Sequence, residues 1–207
     1  MRTSGLIPRL LAETLGATLF IFGAGAFIPG GSATPCSAGF TAETEFGTGA
    51  TIPVAWGDFD NDGDQDLAVG HYGSTNRLFV NDGAGGFAEQ VQFGTGATFA
   101  VAWADFDSDG DLDLAVGRGN NQQNYLYVNN GNGTFTQTAQ FGLLRTIALA
   151  WGDADNDGDL DLAVGNGILG VADQNYLYVN NGNGTFTAVP QFGQDQTCAV
   201  VWGDYDG

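Results

Sequence analysis

The aspartates of this chain are spaced for cation binding rather than spread as a solubilising coat. In GDFDNDGDQDLAVG, residues 57–70, an aspartate occupies every second position, and near-copies follow at residues 104–117 and 152–165. Counted from the first aspartate of each copy, carboxylates fall at positions 1, 3, 5, 7 and 9, and glycine falls at position 6. The residues are Asp58, Asp60, Asp62, Asp64 and Asp66; Asp105, Asp107, Asp109, Asp111 and Asp113; and Asp153, Asp155, Asp157, Asp159 and Asp161.

This spacing predicts a calcium site in each copy. Alternate side chains in a tight loop turn toward one centre, and the glycine permits the sharp bend. Position 7 can add its backbone carbonyl, and position 9 can bind through both carboxylate oxygens. Because an oxygen-only donor set of this size selects calcium, we predict about three calcium sites and a truncated fourth at Asp204 and Asp206.

Position 12 distinguishes these loops from the helix-loop-helix calcium motif. That motif needs an acid at position 12 and a helix after it. Here position 12 is Val69, Val116 or Val164, each inside a predicted strand. The pattern therefore predicts a loop between two strands, with calcium holding them together.

Composition sets the class of protein. The 207 residues carry a net charge of −19, from 24 acids against five arginines and no lysine, so nucleic acid is not an expected partner. Seventeen of the 24 acids belong to the repeated motif, which favours local cation binding. Thirty-four glycines with frequent Asn-Gly and Asp-Gly pairs, and little helical periodicity, predict an all-β fold.

Internal repetition predicts the architecture. Trp56, Trp103, Trp151 and Trp202 recur at intervals of 47, 48 and 51 residues. Each unit contains four short strand patterns in which large and small side chains alternate, as in sheets stacked face to face around an axis. We predict β-propeller blades of four antiparallel strands, in units 46–92, 93–140 and 141–191 with a truncated fourth from 192.

The ends of the repeat region predict an open ring. Residues 38–47, AGFTAETEFG, match the fourth strand of the later units, and the last unit stops after its first strand. The repeats therefore occupy residues 38–207, as about three full blades with partial terminal blades. We expect a fragment of a larger propeller, or self-association through open blade edges.

The units FGTGATIPVAWGDFDNDGDQDLAVG, FGTGATFAVAWADFDSDGDLDLAVG and FGLLRTIALAWGDADNDGDLDLAVG closely resemble FG-GAP repeats of the VCBS and integrin-α type. The resemblance spans residues 39–207. It implies a calcium-bearing β-propeller, usually of seven blades, found in exported bacterial proteins and in the integrin α head. The cation loops of the family carry over to the repeated aspartates given above.

The first 37 residues resemble an export signal. Arg2 and Arg9 precede an apolar stretch at residues 10–28, and the small residues at 24–26 within it offer a site for a peptidase. A retained membrane anchor formed by residues 10–28 is the alternative. We therefore expect a secreted or cell-surface protein, in which Cys36 and Cys198 either pair or stay free.

One end of the blades is predicted to carry the ligand. The loops between the second and third strands, residues 71–75, 118–123 and 166–174, account for the variation in repeat length. Length variation on one face of a repeat scaffold is typical of recognition surfaces. The candidate residues on or near that face are Tyr72, Arg118, Arg145, Leu169 and Asp173.

No catalytic constellation is recognisable in the sequence. His71 is the single histidine, and neither a nucleophile elbow nor a Cys-His pairing is present. We predict a non-enzymatic module for adhesion or for recognition of an extracellular protein or glycan. The alternatives are the non-catalytic propeller of a larger extracellular enzyme and a calcium-locked structural surface or filament protein.

Overall fold

A computed structural model describes residues 50–138, 141–167, 170 and 172–203. The described residues form ten strands and no helix, as turn-rich sequence with β-branched and aromatic strand patterns predicts. The strands are β1 (Thr51–Gly57), β2 (Asp66–Asn81), β3 (Phe87–Ala104), β4 (Asp113–Arg118), β5 (Tyr125–Asn129), β6 (Phe135–Thr138), β7 (Thr146–Gly152), β8 (Asp161–Asn166), β9 (Asp173–Asn180) and β10 (Phe186–Asp195).

The strands pair antiparallel in the order that propeller blades require. One sheet has the order β1-β2-β3-β4-β5-β6, and the other has the order β10-β9-β8-β7. The register repeats from unit to unit, since Trp56 pairs with Leu67, Trp103 with Leu114, and Trp151 with Leu162. The prediction of all-β blades with four antiparallel strands is confirmed.

Two strands in the first sheet are longer than predicted. β2 holds both the second and third strands of its unit, and the chain reverses between them, where His71 N–H donates to Asn76 Oδ1 at 2.9 Å. Gly73 supplies the positive φ of 80° in this reversal. β3 leaves the first blade and continues as the innermost strand of the second, turning at Gly94 and Gly96 with φ of 65° and 127°.

The core lies between successive blades. Side chains alternate across each strand, so Ala68, Leu78 and Val80 face the second blade and pack against Phe93 and Leu114. A second cluster joins the second blade to the third in the same way, and it includes Phe106, Leu126, Phe141, Leu162 and Tyr178. Each buried Leu or Phe contributes about 1.5–3 kcal/mol, so stacking rather than any isolated blade stabilises the fold.

A tryptophan marks each stacking interface. The indole N–H of Trp103 donates to Ala55 O at 3.2 Å in the preceding blade, and that of Trp151 donates to Ala102 O at 3.3 Å. The ring of Trp103 lies against Gly57, where an added Cβ would come within 2.8 Å of it. The small residue after each repeated tryptophan therefore makes room for the tryptophan of the next blade.

The last described residues complete the third blade's packing without forming a strand. Trp202 Nε1 donates to Ala150 O at 2.9 Å, and its ring covers Gly152, as Trp103 covers Gly57. Leu169, Asp204 and Asp206 lie outside the described residues, as do the predicted leader at 1–37, which includes Cys36, and the predicted fourth strand at 38–47. Across the described ranges, the chain contains no helix with the length and apolarity needed to traverse a bilayer.

Candidate metal centre

Each aspartate motif forms the loop between the first and second strands of a blade. The three loops share one backbone conformation: position 4, which is Asn61, Ser108 or Asn156, has φ near 60°, and the glycine at position 6 has φ of 94–97°. Left-handed backbone at both positions bends the loop sharply. The bend brings the carboxylates at positions 1 and 3 of each loop close together.

Backbone N–H groups hold the first carboxylate of each loop in place. Asp58 accepts from the N–H of Asp62 at 3.1 Å through Oδ1 and from that of Gly63 at 3.0 Å through Oδ2. The position-5 carboxylate Asp62 accepts from Asp64 N–H at 2.9 Å. The second and third loops repeat these bonds within 0.1 Å, so the loop geometry is a property of the motif.

Three carboxylates converge in each loop closely enough to share one cation. Within each trio, one oxygen per residue lies within 4.8 Å of the others. The first loop combines positions 1, 3 and 5, whereas the other two loops combine positions 1, 3 and 9. The trios are Asp58, Asp60 and Asp62; Asp105, Asp107 and Asp113; and Asp153, Asp155 and Asp161.

The position-3 carboxylates lie where negative charge is unfavourable. Desolvation and then the neighbouring carboxylates raise the pKa of Asp60, Asp107 and Asp155. A cation bound beside such a group reverses the penalty, because it favours the ionised form.

The position-9 aspartates have a second role that the spacing does not reveal. Asp66, Asp113 and Asp161 are fully buried. Asp113 accepts the N–H of Phe106 at 3.2 Å through one oxygen and that of Asn129 at 2.7 Å through the other. Asp66 and Asp161 each accept two backbone N–H groups in the same way. Burial raises the pKa of Asp113 to about 7, although both N–H donors lower it. Position 9 therefore ties its loop to the third strand.

The position-7 aspartates point toward neighbouring loops rather than into the trios. Asp111 Oδ2 lies against Gly131, in the loop between the third and fourth strands, where an added Cβ would come within 2.6 Å of it. Its Oδ1 accepts Asn61 Nδ2 at 2.6 Å from the preceding blade's loop. Asp64 and Asp159 approach Gly83 and Gly182 in the same way. These contacts bring both loop types to one end of the blades.

An asparagine at the end of each third strand completes the site, and our sequence prediction omitted it. Asn129 Nδ2 donates to Phe59 O at 2.9 Å in the preceding loop and to Leu112 O at 3.3 Å in its own. Asn180 bonds to Phe106 O and Leu160 O in the same manner. Their recurrence in the pair Val-Asn, at intervals of 48 and 51 residues from Asn81, was the available signal.

The predicted ligand residues that the structure describes, which exclude Leu169, lie at the opposite end of the blades. Tyr72 is 49% exposed, and its ring meets Phe99 edge-on at 5.8 Å. Arg118 reaches Thr95 O at 2.5 Å from Nη2. Arg145 accepts Gly167 N–H through its carbonyl at 2.9 Å, and its buried Nε has no hydrogen-bond partner among the described residues.

Asp173 begins β9 and pairs with Asp195 of β10, in the same sheet that β7 enters directly after Arg145. Backbone bonds such as Gly119 N–H to Ala97 O at 2.7 Å join the two sets of loops at this end. The structure thus brings Tyr72 and Arg118 to one blade boundary, and places Arg145 at the next. Cys198 is exposed, and its pairing with Cys36 stays a prediction.

Comparison with protein families agrees with this construction. No curated protein matches the chain. The model of the FG-GAP-like repeat matches residues 58–116 and again residues 105–164, so each match spans consecutive aspartate loops and the strands between them. These repeats are a structural, non-catalytic type of domain that forms propeller and integrin-like modules. Since the two matches together cover just over half of its length, the chain belongs to the FG-GAP-like repeat family.

Proposed function

We propose that this chain is a secreted or cell-surface β-propeller module, stabilised by calcium, that binds an extracellular protein or glycan in adhesion or recognition. The proposal rests on one observation, that the two ends of the blades carry different chemical groups. One end holds three carboxylate trios. The other end carries the loops of variable length, with an exposed aromatic ring at Tyr72 and a guanidinium at Arg118.

The aspartate trios fit a calcium ion by their donor chemistry. They offer only hard oxygen ligands, and neighbouring backbone N–H groups already fix their orientation. Two carboxylates about 4 Å apart repel by about 4 kcal/mol at an effective dielectric near 20. A bound ion supplies the positive charge that offsets this repulsion, so its binding energy contributes to folding.

Calorimetry and thermal melting test the cation part of the proposal. We expect about three calcium ions per chain, and a melting temperature that falls when a chelator is added. Asp107→Asn should remove one ion, whereas Asp111→Asn removes equal charge from the same loop outside the trio and should leave the stoichiometry unchanged. Absence of calcium uptake, with melting unaffected by the chelator, would refute it.

The proposed localisation depends on residues 1–37. Their charged start and apolar stretch support export. Expression in a bacterial host with an outer compartment tests it: a cleaved chain outside the cytoplasm indicates a signal peptide, and an uncleaved chain in the membrane fraction indicates an anchor at residues 10–28. An uncleaved chain in the cytoplasm contradicts both.

A structural assembly is the second candidate, and one surface favours it. Ile52, Val54 and Trp56 on β1 are 46%, 36% and 40% exposed. Their counterparts Val101 and Trp103 pack against the preceding blade. Light scattering over a range of concentrations separates the candidates, because growth of the mass with concentration supports assembly through this face and a constant monomer mass excludes it.

A further inference from the structure

The described arginines differ in whether a carboxylate pairs with them. In the ranges that the structure describes, the one ion pair joins Arg77 to Glu89 at 2.7 Å. The other two described arginines, Arg118 and Arg145, have no carboxylate partner there. Both lie at the end of the blades away from the aspartate loops. The chain has a net charge of −19 and therefore many carboxylates, yet none of those described pairs with these two guanidinium groups. This suggests that a ligand supplies the carboxylate that binds there.

Hydrogen bonds connect the backbone of the two arginines. Arg118 N–H donates to Asn124 Oδ1 at 2.6 Å, and Asn124 Nδ2 donates to Thr146 Oγ1 at 2.8 Å. Thr146 directly follows Arg145 in the chain. Because Asn124 and Thr146 are fully buried, these bonds fix the positions from which both arginine side chains start.

The guanidinium of Arg118 is held in place but retains free donors. Its Nη2 bonds to Thr95 O at 2.5 Å and lies directly against Gly96, where any Cβ would collide with it. Its Cζ lies 5.6 Å from the centroid of the Tyr125 ring. A guanidinium has five N–H donors in a planar fork that matches a carboxylate, and Thr95 uses one of them. Gln122 brings an unbonded Oε1 to the same glycine, 3.0 Å from the position of a Cβ.

An exposed aromatic ring lies beside this arginine. Tyr72 pairs with Ala97, and the carbonyl of Ala97 accepts the N–H of Gly119, the residue that follows β4, so the backbones of Tyr72 and Gly119 flank Ala97. At about 4.8 Å between strands, the backbone of Tyr72 is about 10 Å from that of Gly119. Phe99 fills the space between them, since it contacts the Tyr72 ring and lies against Gly119.

We propose that Arg118 and Tyr72 form a binding site for a carboxylate-bearing sugar, such as a terminal uronic acid of a glycan. The inference rests on the ligand face of the proposed function and names the class of ligand. The forked guanidinium binds the carboxylate, and the exposed Tyr72 ring packs against the sugar ring. The net charge favours a glycan with a single acid over an acidic protein segment, because a densely charged partner is repelled at long range.

Titrations with matched ligands, followed by NMR on the full calcium-loaded chain, test the proposal. The probes are cellobiouronic acid, the neutral disaccharide cellobiose, and an acetylated and amidated tripeptide with one glutamate. We expect the acidic sugar to bind most tightly. Arg118→Gln should weaken its binding about tenfold or more, as loss of a charged hydrogen bond predicts. Arg118→Lys keeps the charge but loses the fork, and should restore only part of the affinity.

Control variants separate recognition from folding. Arg77→Gln removes an arginine that is already paired with Glu89 and should leave the affinity for the acidic sugar unchanged. Tyr72→Ala should weaken the acidic and the neutral sugar alike. Circular dichroism and melting of every variant are measured first. If Arg118→Gln does not fold, Arg118→Lys replaces it. If Tyr72→Ala does not fold, Tyr72→Phe replaces it and should retain binding.

The outcomes distinguish this inference from the proposed function. If cellobiose and the acidic sugar bind equally tightly, and Tyr72→Ala abolishes the binding of both, the carboxylate site is wrong. The proposal that this end of the blades binds a ligand would then still hold. Tighter binding of the tripeptide would overturn the choice of a sugar. Absence of binding to all three probes would overturn the inference, while calcium uptake measured on the same sample decides the cation part separately.

Discussion

Asn129 donates its side-chain N–H to the carbonyl of Phe59, 70 residues earlier in the chain, at a distance of 2.9 Å. Its backbone N–H donates to the buried carboxylate of Asp113 in its own blade at 2.7 Å. One residue therefore joins the aspartate loop of one blade to that of the next. Because Asn180 makes the same pair of bonds, this connection is part of the repeat.

Replacement of this asparagine should separate the two loops. Asn129→Ala removes two side-chain donors and leaves the carbonyl of Phe59 without its partner, so we expect the free energy of unfolding to fall by about 2–3 kcal/mol. Urea denaturation in saturating calcium measures the change. Asn130→Ala is the matched control, since the side chain of this exposed neighbour bonds to Thr134 and Thr136 in its own hairpin and not to the preceding blade; an equal loss in both variants would contradict the role of Asn129.

Two aspartates of one loop should respond to substitution in opposite ways when calcium is removed. In saturating calcium at about 100 times its Kd, Asp107→Asn loses one site and about 2.7 kcal/mol of stabilisation. In chelator at neutral pH the same variant should melt at a higher temperature than the original chain, because desolvation and Asp109 raise the pKa of Asp107 and disfavour its charge.

Asp113→Asn should instead destabilise the chain in both conditions. Its carboxylate accepts two backbone N–H groups, and an amide can accept from only one of them through its oxygen. Burial raises the pKa of Asp113 as well, but the N–H group left without an acceptor should outweigh the relief of that buried charge. We therefore expect a net loss of about 1–3 kcal/mol in chelator. Melting curves of both variants with and without calcium check this, and a stabilised Asp113→Asn in chelator would show that the buried carboxylate has no structural role.

The tryptophans of successive blades should differ in how much they contribute to the free energy of unfolding. Trp103→Phe removes the hydrogen bond to Ala55 O and part of a packed interface, at a cost of about 1–2 kcal/mol. Trp56→Phe changes a ring that is 40% exposed, so its cost should stay within about 0.5 kcal/mol. Chemical denaturation of both variants gives the comparison; a larger cost for Trp56→Phe would mean that its face is covered.

His71 should make stability depend on pH. Burial, and then the charge of Arg77, lower its pKa below 6.5, so the unfolded chain binds more protons once the pH falls through 6.5. The contribution of neutral His71 is complete above that pH and is lost progressively below it. His71→Asn, which copies Asn166 of the third unit, should remove this component, and the difference in melting temperature between the two chains at pH 5 and pH 7.5 measures it.

The repeat made much of the fold predictable from sequence. A constant interval between tryptophans, together with strand patterns between turn residues, predicted four antiparallel strands per unit. Alternate aspartates around a glycine predicted that the carboxylates of each loop converge, and positions 1 and 3 do so in all three loops because strict local spacing fixes local geometry. The continuous β3 was not predicted, since its path from one blade to the next depends on packing between blades rather than on the glycines that permit its turns.

The sequence alone determined the kind of loop, the number of copies and the stacking period, because each depends on residues close together in the chain. The tertiary structure decided what each carboxylate does. Position 9 became a buried acceptor for two backbone N–H groups, and position 7 turned toward a neighbouring loop. These roles depend on partners far away in the chain: Asn129 is 16 residues from Asp113, and Asn61 is 50 residues from Asp111. Only folding brings those atoms together.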